Sequence, residues 1–243
     1  MGSKIKSLVN DYKVLLRSVP ALIIIAYTVS TIAMNLAASK VIFQIGDVAG
    51  TGGLLLSWIP FLCMDTTVKR FGAKAAIMLN FFAALVDLIV VGFFEIVVLL
   101  PGNGQDYSAF NQTLGSVWFI LFGSMTAFII SGIVNSLLNA AVGKLFKKNP
   151  DGKLAFFTRS YVSTYVGQFV DNFLFMFIVY FCFAPTYWGF GMTIATCIGT
   201  GLVGAALELI TEVIFSPVGY HLSKKWANNG VGQEWLELHP VTT

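Results

Sequence analysis

Long apolar stretches separated by short polar or basic segments run along almost the whole chain. About 20 apolar residues in a helix are enough to cross the hydrocarbon core of a bilayer. The pattern therefore predicts an all-α integral membrane protein with six transmembrane helices in a single domain, residues 1–243. The predicted spans lie at about residues 19–43, 53–68, 75–100, 114–142, 161–183 and 190–220.

The two ends of the chain lie outside these spans. Residues 1–18 place apolar side chains at helical spacing among lysines and an arginine, which predicts a short basic helix on the membrane surface. Residues 221–243 are polar enough to form a cytoplasmic tail.

The second span is short for a bilayer, because Asp65, Thr66 and Thr67 interrupt its apolar run. Such a helix either continues through its polar residues, which then face inward, or breaks near Pro60 and presents free backbone groups to a cavity. Both alternatives place Asp65 beside a polar interior.

The fifth span has a polar face. Gln168 precedes Asp171 by three residues and Asn172 by four, so an amide, a carboxylate and a second amide occupy adjacent turns of one side of a helix. A carboxylate near the middle of a bilayer costs about 2.5 to 3.5 kcal/mol, which favours a position facing a polar interior. Two readings stay open: these residues bind a ligand, or they only bond neighbouring helices.

Composition agrees with a membrane protein. Apolar residues make up 56% of the chain, charged residues only 11%, and the mean hydropathy is +0.78. Cys63, Cys182 and Cys197 lie in apolar stretches without paired spacing, which indicates reduced packing residues. No nucleotide-binding, hydrolase or zinc motif is present, so we predict neither an enzyme nor a metal or other cofactor, and no nucleic-acid partner.

Further polar residues occur within the predicted spans. Carboxylates and amides in excess over a single lysine suit a small planar ligand rich in N–H donors, such as a purine-like ring, or a ligand with an amine. Carboxylates in membrane helices also carry protons in transporters, and Asp87, Glu95 and Glu212 are the candidates for proton coupling. The other polar residues of interest are Asn35 in span one and Glu208 in span six.

The basic residues indicate an orientation. With six spans, every Lys and Arg except Lys40 falls on one side, so the positive-inside rule predicts that both termini are cytoplasmic. The predicted location is the plasma or inner membrane, and the sequence leaves monomer and homodimer open.

Two segments resemble motifs of the vitamin uptake transporter family. Segment 58–72, WIPFLCMDTTVKRFG, is similar to its proline-then-aspartate motif, which a basic residue and Phe/Tyr-Gly follow. Segment 163–172, STYVGQFVDN, is similar to its Ser-Thr-x-x-Gly-Asn/Gln-x-x-Asp motif. The resemblance implies a six-helix fold like the substrate-binding component of energy-coupling-factor transporters, and import of a queuosine precursor, a deazaguanine base.

The resemblance also implies which residues bind the ligand. Asp65 and Thr66 match the first motif, and Gln168, Asp171 and Asn172 match the second or adjoin it. We expect the ligand between spans two and five, held also by Asn35 and Glu208. Asn172 stands where the family has Ser or Thr, and Glu208 and Glu212 where many members have lysine, which favours a cationic aminomethyl substrate.

The alternative function is a binding module. In that case the chain is the substrate-capture subunit of an ATP-driven transporter of the energy-coupling-factor type. Ala33 and Ala37, four residues apart, would then form the docking surface for the partner complex.

Overall fold

The computed structural model describes the backbone of residues 2–145 and 153–240. Within these ranges the side chains of residues 2–3, 65, 135–136, 139–145, 153–161, 163, 212 and 216 lie outside the description. The long helices are α1 (Gly2–Ser18), α2 (Ala21–Ala37), α3 (Trp58–Leu99), α5 (Val117–Leu145), α6 (Lys153–Met176) and α8 (Ile194–Asn228). The shorter ones are α4 (Ser108–Leu114), α7 (Ala184–Tyr187) and α9 (Gln233–Leu238).

A β-hairpin replaces the end of the first predicted span. Strands β1 (Val41–Ile45) and β2 (Val48–Thr51) pair antiparallel, and a short 3₁₀ helix, Gly52–Leu55, follows. The prediction of one helix over 19–43 is therefore wrong beyond Ala37. The run Val41–Ile45 is rich in β-branched residues, and Gly46, the first of the two loop residues, has φ +56°, which suits a tight hairpin turn.

Helix α3 covers the second and third predicted spans. It continues through Thr66 and Thr67, so the chain follows the first of the two sequence alternatives and does not break at Pro60. The helix is interrupted only at Gly72, whose φ of 83° and ψ of 169° are not helical. A positive φ of this kind is favourable only for glycine, which explains why the break falls at this residue.

Four helical segments of the described chain are long and apolar enough to cross a membrane: 66–99, 108–134, 164–187 and 194–215. A fifth is added if the pair 4–18 and 21–37, bent by 106°, counts as one span. The structure thus has the mostly helical, multi-pass character that the sequence predicts, while six spans are not found by this criterion. The polar residues of segment 58–72 and the hairpin account for the difference.

The chain divides into two compact units. Unit 1 comprises residues 1–34, 53–90 and 212–243, and unit 2 comprises residues 35–52 and 91–211. The core of unit 1 contains apolar side chains from α1, α2, α3 and the C-terminal segment, including the fully buried Leu15, Leu79 and Trp235. In unit 1 the predicted tail is structured, because α8 extends to Asn228 and α9 follows.

In unit 2, α5 and α6 form the most extensive helix pair. Helix α6 continues into a π-helix, Phe177–Phe183, of the kind that frequently marks functional sites. Phe119, Ile120, Val179 and Tyr180 are fully buried in the core of this unit. The Tyr180 hydroxyl donates a hydrogen bond to the carbonyl of Ala38, which ties the π-helix to the segment before the hairpin.

Candidate polar site on helices α5, α6 and α8

The second sequence motif forms the centre of a polar cluster in unit 2. Gln168, Asp171 and Asn172 are all partly buried on α6, as helical spacing predicts. Neighbouring helices contribute Ser131 from α5 and Glu208 from α8. The cluster therefore combines three helices of one unit.

Ser131 contacts the carboxylate of Asp171. Its Oγ lies 2.8 Å from Asp171 Oδ1 and 3.1 Å from the carbonyl oxygen of Phe128 in its own helix. Ser131 is buried, with 8% of its surface exposed. The sequence analysis did not include this residue; the available signal was a serine beside Gly132 within an otherwise apolar stretch of α5.

The Asn172 side chain joins α6 to α8. Its Nδ2 donates to the carbonyl of Gln168, 3.0 Å away, and to Glu208 Oε2, 3.1 Å away. Both amide hydrogens are thus engaged, which fixes the orientation of the amide and leaves its Oδ1 as an acceptor. The hydrogen bond thus joins Asn172 to Glu208, two residues that the sequence predicts to bind the ligand.

Small residues allow α8 to approach α6. A Cβ placed on Gly204 would lie 3.1 Å from Asn172 Cγ, and one on Gly201 would lie 3.2 Å from the Phe169 ring. Both distances are shorter than most Cβ contacts, so a side chain at either position would force its neighbour to shift by a few tenths of an ångström. Gly204 precedes Glu208 by four residues and therefore lies on the same face of α8.

The charges of this cluster are not balanced by a cation from the described residues. The polar groups that act on the Asp171 carboxyl are the neutral Ser131 and, through electrostatic repulsion, Glu208. A buried carboxylate is stabilised when a proton or a cation compensates its charge. The cluster offers mainly acceptors, which suits a ligand with several N–H donors or a positive charge.

The first sequence motif lies in unit 1. The side chain of Asp65 lies outside the described residues, although its backbone is helical. Thr66 is completely buried, and its hydroxyl donates to the carbonyl of Leu62 at 2.7 Å. Thr67 makes the same kind of bond to Cys63, also at 2.7 Å. Both hydroxyls are thus hydrogen-bonded to carbonyls of their own helix, as those of buried threonines commonly are.

The remaining predicted residues lie on α2, α3 and α8. Asn35 and Asp87 are buried, 2% and 1% exposed, and both take part in interactions. Glu95 is partly buried, and its Oε1 has no hydrogen-bond partner among the described residues. The side chain of Glu212 lies outside the description. Among the predicted residues, Asn172 is hydrogen-bonded to Glu208 and to the Gln168 backbone carbonyl, whereas Asp171 is hydrogen-bonded to Ser131.

Comparison with known proteins agrees with the resemblance of the two motifs. A family model described as "Putative vitamin uptake transporter" matches residues 51–222, which is more than two thirds of the chain. No curated protein matches the chain, and no solved structure does. The matched range includes both motifs and the cluster on α5, α6 and α8. The chain therefore belongs to the vitamin uptake transporter family.

Proposed function

We propose that this protein imports a queuosine precursor, a deazaguanine base, by secondary active transport. Membership of the family supports membrane transport of a small molecule. The queuosine precursor is suggested by the resemblance of segments 58–72 and 163–172 to the family motifs. The observation that carries the proposal is the acceptor-rich cluster around Asp171, Asn172 and Glu208.

The donors of a deazaguanine complement this cluster. A guanine-type edge presents two parallel N–H groups, which the Asp171 carboxylate can accept together. The side chain of Gln168 is proposed to orient the adjoining carbonyl of the ring. Glu208, which is hydrogen-bonded to Asn172, then forms an ion pair with the positively charged aminomethyl group.

Asn35, Asp65 and Thr66 remain predictions from the sequence. Each is proposed to contact the ligand on the basis of the motifs or of its position in a span. A substitution at Asp65 tests the first motif separately, because its effect on binding does not depend on the contacts of the cluster.

Import against a gradient requires a source of free energy. Carboxylates in apolar helices can carry protons, and we propose that Asp87, Glu95 and Glu212 provide this coupling. In vesicles that contain only this protein, we expect the deazaguanine to accumulate above equilibrium when a proton gradient is imposed. Equilibration without accumulation under any ion gradient would instead indicate a facilitator.

We propose that the protein resides in the plasma or inner membrane with both termini in the cytoplasm. The distribution of Lys and Arg supports this orientation. A cysteine introduced at Gln105, in the exposed segment between α3 and α4, should react quickly with a reagent that does not cross the membrane. The native cysteines are removed for this test, and a cysteine at the exposed Asn229 should be protected. The reverse pattern contradicts the orientation.

The alternative is the capture subunit of an ATP-driven transporter. Its proposed docking surface is formed by Ala33 and Ala37, both of which are half-buried. Purification separates the two functions: the alternative requires partner ATPase subunits for uptake, whereas an importer transports alone.

A cell-based experiment tests the function as a whole. Cells that cannot make the precursor but receive it in the medium should regain queuosine in their tRNA when they express this protein. Asp171→Asn should abolish the recovery at low precursor concentration. Asp106→Asn is the matched control, because Asp106 is exposed in a loop and accepts its hydrogen bonds from Ser108. Absence of queuosine despite expression in the membrane would refute the proposed substrate.

A further inference from the structure

Ser131 has one proton and two acceptors within reach. The hydroxyl lies 2.8 Å from Asp171 Oδ1 and 3.1 Å from the Phe128 carbonyl, and a serine donates only one hydrogen bond. The two contacts therefore represent alternative orientations of the hydroxyl. Which of them forms depends on whether Asp171 carries a proton.

An ionised Asp171 can only accept, so Ser131 then donates to Oδ1. A protonated Asp171 can donate to Ser131 Oγ, and the serine then donates to the Phe128 carbonyl. In both states each polar atom keeps a partner, and no backbone movement is needed. This arrangement avoids the free energy that a buried, unsatisfied polar group would cost.

The surroundings make a change of protonation necessary. The described part of α5 has no ionisable side chain, and Glu208 on α8, which is hydrogen-bonded to Asn172, is close enough to Asp171 for the two carboxyls to repel each other. Without a ligand, two ionised carboxylates would repel each other among apolar helices, which favours a proton on at least one of them. A bound cation compensates the charge of the carboxylates in place of this proton.

We propose that Ser131 is a positioning residue that keeps the Asp171 carboxyl hydrogen-bonded in both protonation states, so that Asp171 can exchange its proton for a cationic ligand. The ligand part of this inference rests on the proposed function. On binding, the O–H bond of Asp171 breaks, the proton passes to water, and the positive charge of the ligand replaces it. The net charge of the cluster is unchanged by this exchange.

Infrared spectroscopy tests the inference without any ligand. The C=O stretching band of a protonated carboxylic acid that disappears in Asp171→Asn belongs to Asp171, and its intensity is followed as a function of pH. Ser131→Ala removes a hydrogen bond from both forms of Asp171, but the bond to the ionised carboxylate is the stronger of the two, so the midpoint of the titration should rise by about one pH unit. Ser131→Thr retains the hydroxyl and should titrate close to the unmodified protein.

Ser116→Ala is the matched control. Ser116 is also buried, 1% exposed, but its hydroxyl bonds the backbone carbonyl of Thr113 at 2.8 Å and not a carboxylate. This variant should leave the midpoint in place. An unchanged midpoint in Ser131→Ala, an equal rise in Ser116→Ala, or no band that depends on Asp171 would overturn the proposal.

Addition of an aminomethyl deazaguanine then tests the exchange. At a pH where the Asp171 band is present, the ligand should remove it from the unmodified protein. A ligand without effect on an otherwise normal titration contradicts the exchange and the proposed substrate, but not the role of Ser131. The two failures are therefore distinguishable.

Discussion

Two clusters of this protein contain a buried or half-buried carboxylate, and they treat its charge in opposite ways. In unit 1, Asp11 on α1 pairs with Lys74 at 2.7 Å and with His239 at 3.4 Å. In unit 2, Asp171 has the neutral Ser131 as its hydrogen-bond partner and a second carboxyl, Glu208, in its surroundings. The first charge is compensated by the protein itself, whereas the second leaves a place for a proton or a ligand.

The first cluster has the features of a structural contact. Trp235 on α9 is completely buried, and its Nε1 donates to the carbonyl of Phe71, 2.9 Å away, beside the break at Gly72. Arg70 donates through Nε and Nη2 to the carbonyl of Val231, at 3.0 and 2.7 Å. Gly232, with φ +78°, lies so close to the Phe71 ring that a Cβ would be 2.1 Å from it. The C-terminal segment thus packs against α3 beside the interruption of this helix at Gly72.

The difference indicates how to distinguish a structural from a functional carboxylate. A carboxylate that pairs with a cation of the protein should influence folding, and a carboxylate with only neutral partners should influence binding.

The largest effect on stability is expected for Trp235→Ala, because removal of a large buried side chain costs about 3 to 5 kcal/mol. Thermal unfolding in detergent should show this loss, with ligand affinity almost unchanged in the folded fraction. Normal stability together with weakened binding would contradict the comparison.

Asp171→Asn should have the largest effect on binding. The variant places an amide donor opposite ligand donors and leaves a polar group unpaired, which costs about 1 to 3 kcal/mol. Affinity for the deazaguanine, measured by calorimetry, should fall on the order of ten- to a hundredfold while the unfolding temperature is retained. Asp106→Asn should bind normally. Equal affinity in both variants would mean that Asp171 only bonds α5 to α6.

Gly204→Ala should weaken binding less. The added Cβ would lie 3.1 to 3.2 Å from three atoms of the Asn172 amide, so the amide must shift by a few tenths of an ångström, which disturbs its hydrogen bond to Glu208. A displaced rotamer costs about 0.5 to 1.5 kcal/mol, which corresponds to an affinity about two- to tenfold lower. Gly92→Ala is the control, because a Cβ there has no atom within 4 Å among its surroundings. Equal binding in both variants would show that the position of Asn172 is unimportant.

Asp11→Asn should have the smallest effect. Lys74, through its hydrogen bond, lowers the pKa of Asp11 below its ordinary value of 3.8. A lowered pKa in the folded state adds stability above the unfolded pKa, and this contribution is lost as the pH falls through the folded value. Because the Lys74 side chain is 51% exposed, solvent screens the pair, and the variant should lose less than about 1 kcal/mol at neutral pH.

The pH dependence provides the check for this last variant. The difference in unfolding temperature between Asp11→Asn and the unmodified protein should shrink as the pH falls below about 4, the pKa of an unfolded aspartate, and should disappear once the pH is below the lowered pKa of folded Asp11. Glu237→Gln, an exposed carboxylate on α9, should show no such difference. A difference that persists in acid would assign the effect to packing and not to charge.

Much of the architecture could be predicted from the sequence because long apolar runs have few alternatives to membrane helices. The membrane character was predicted in this way, whereas the family was suggested by the resemblance of segments 58–72 and 163–172 to its motifs, and the family is confirmed. The hairpin at 41–51 was not predicted, because a short apolar run with β-branched residues is consistent with a helix or a strand. Its contacts decide between them: the Ala49 N–H donates to Thr200 Oγ1 at 2.8 Å, and the Asp47 carbonyl approaches Gly199 of α8.

The candidate site shows the same division. The sequence by itself determined the polar face of α6, because residues three and four apart lie on one side of any helix. Only the tertiary structure decided which groups this face meets, since Ser131 and Glu208 are 40 and 36 residues away from their partners in the chain. The sequence likewise provides the glycine, Gly72, whose positive φ allows α3 to be interrupted at this position. The burial of Trp235 against Phe71 was decided by the packing of distant segments, which no local pattern specifies.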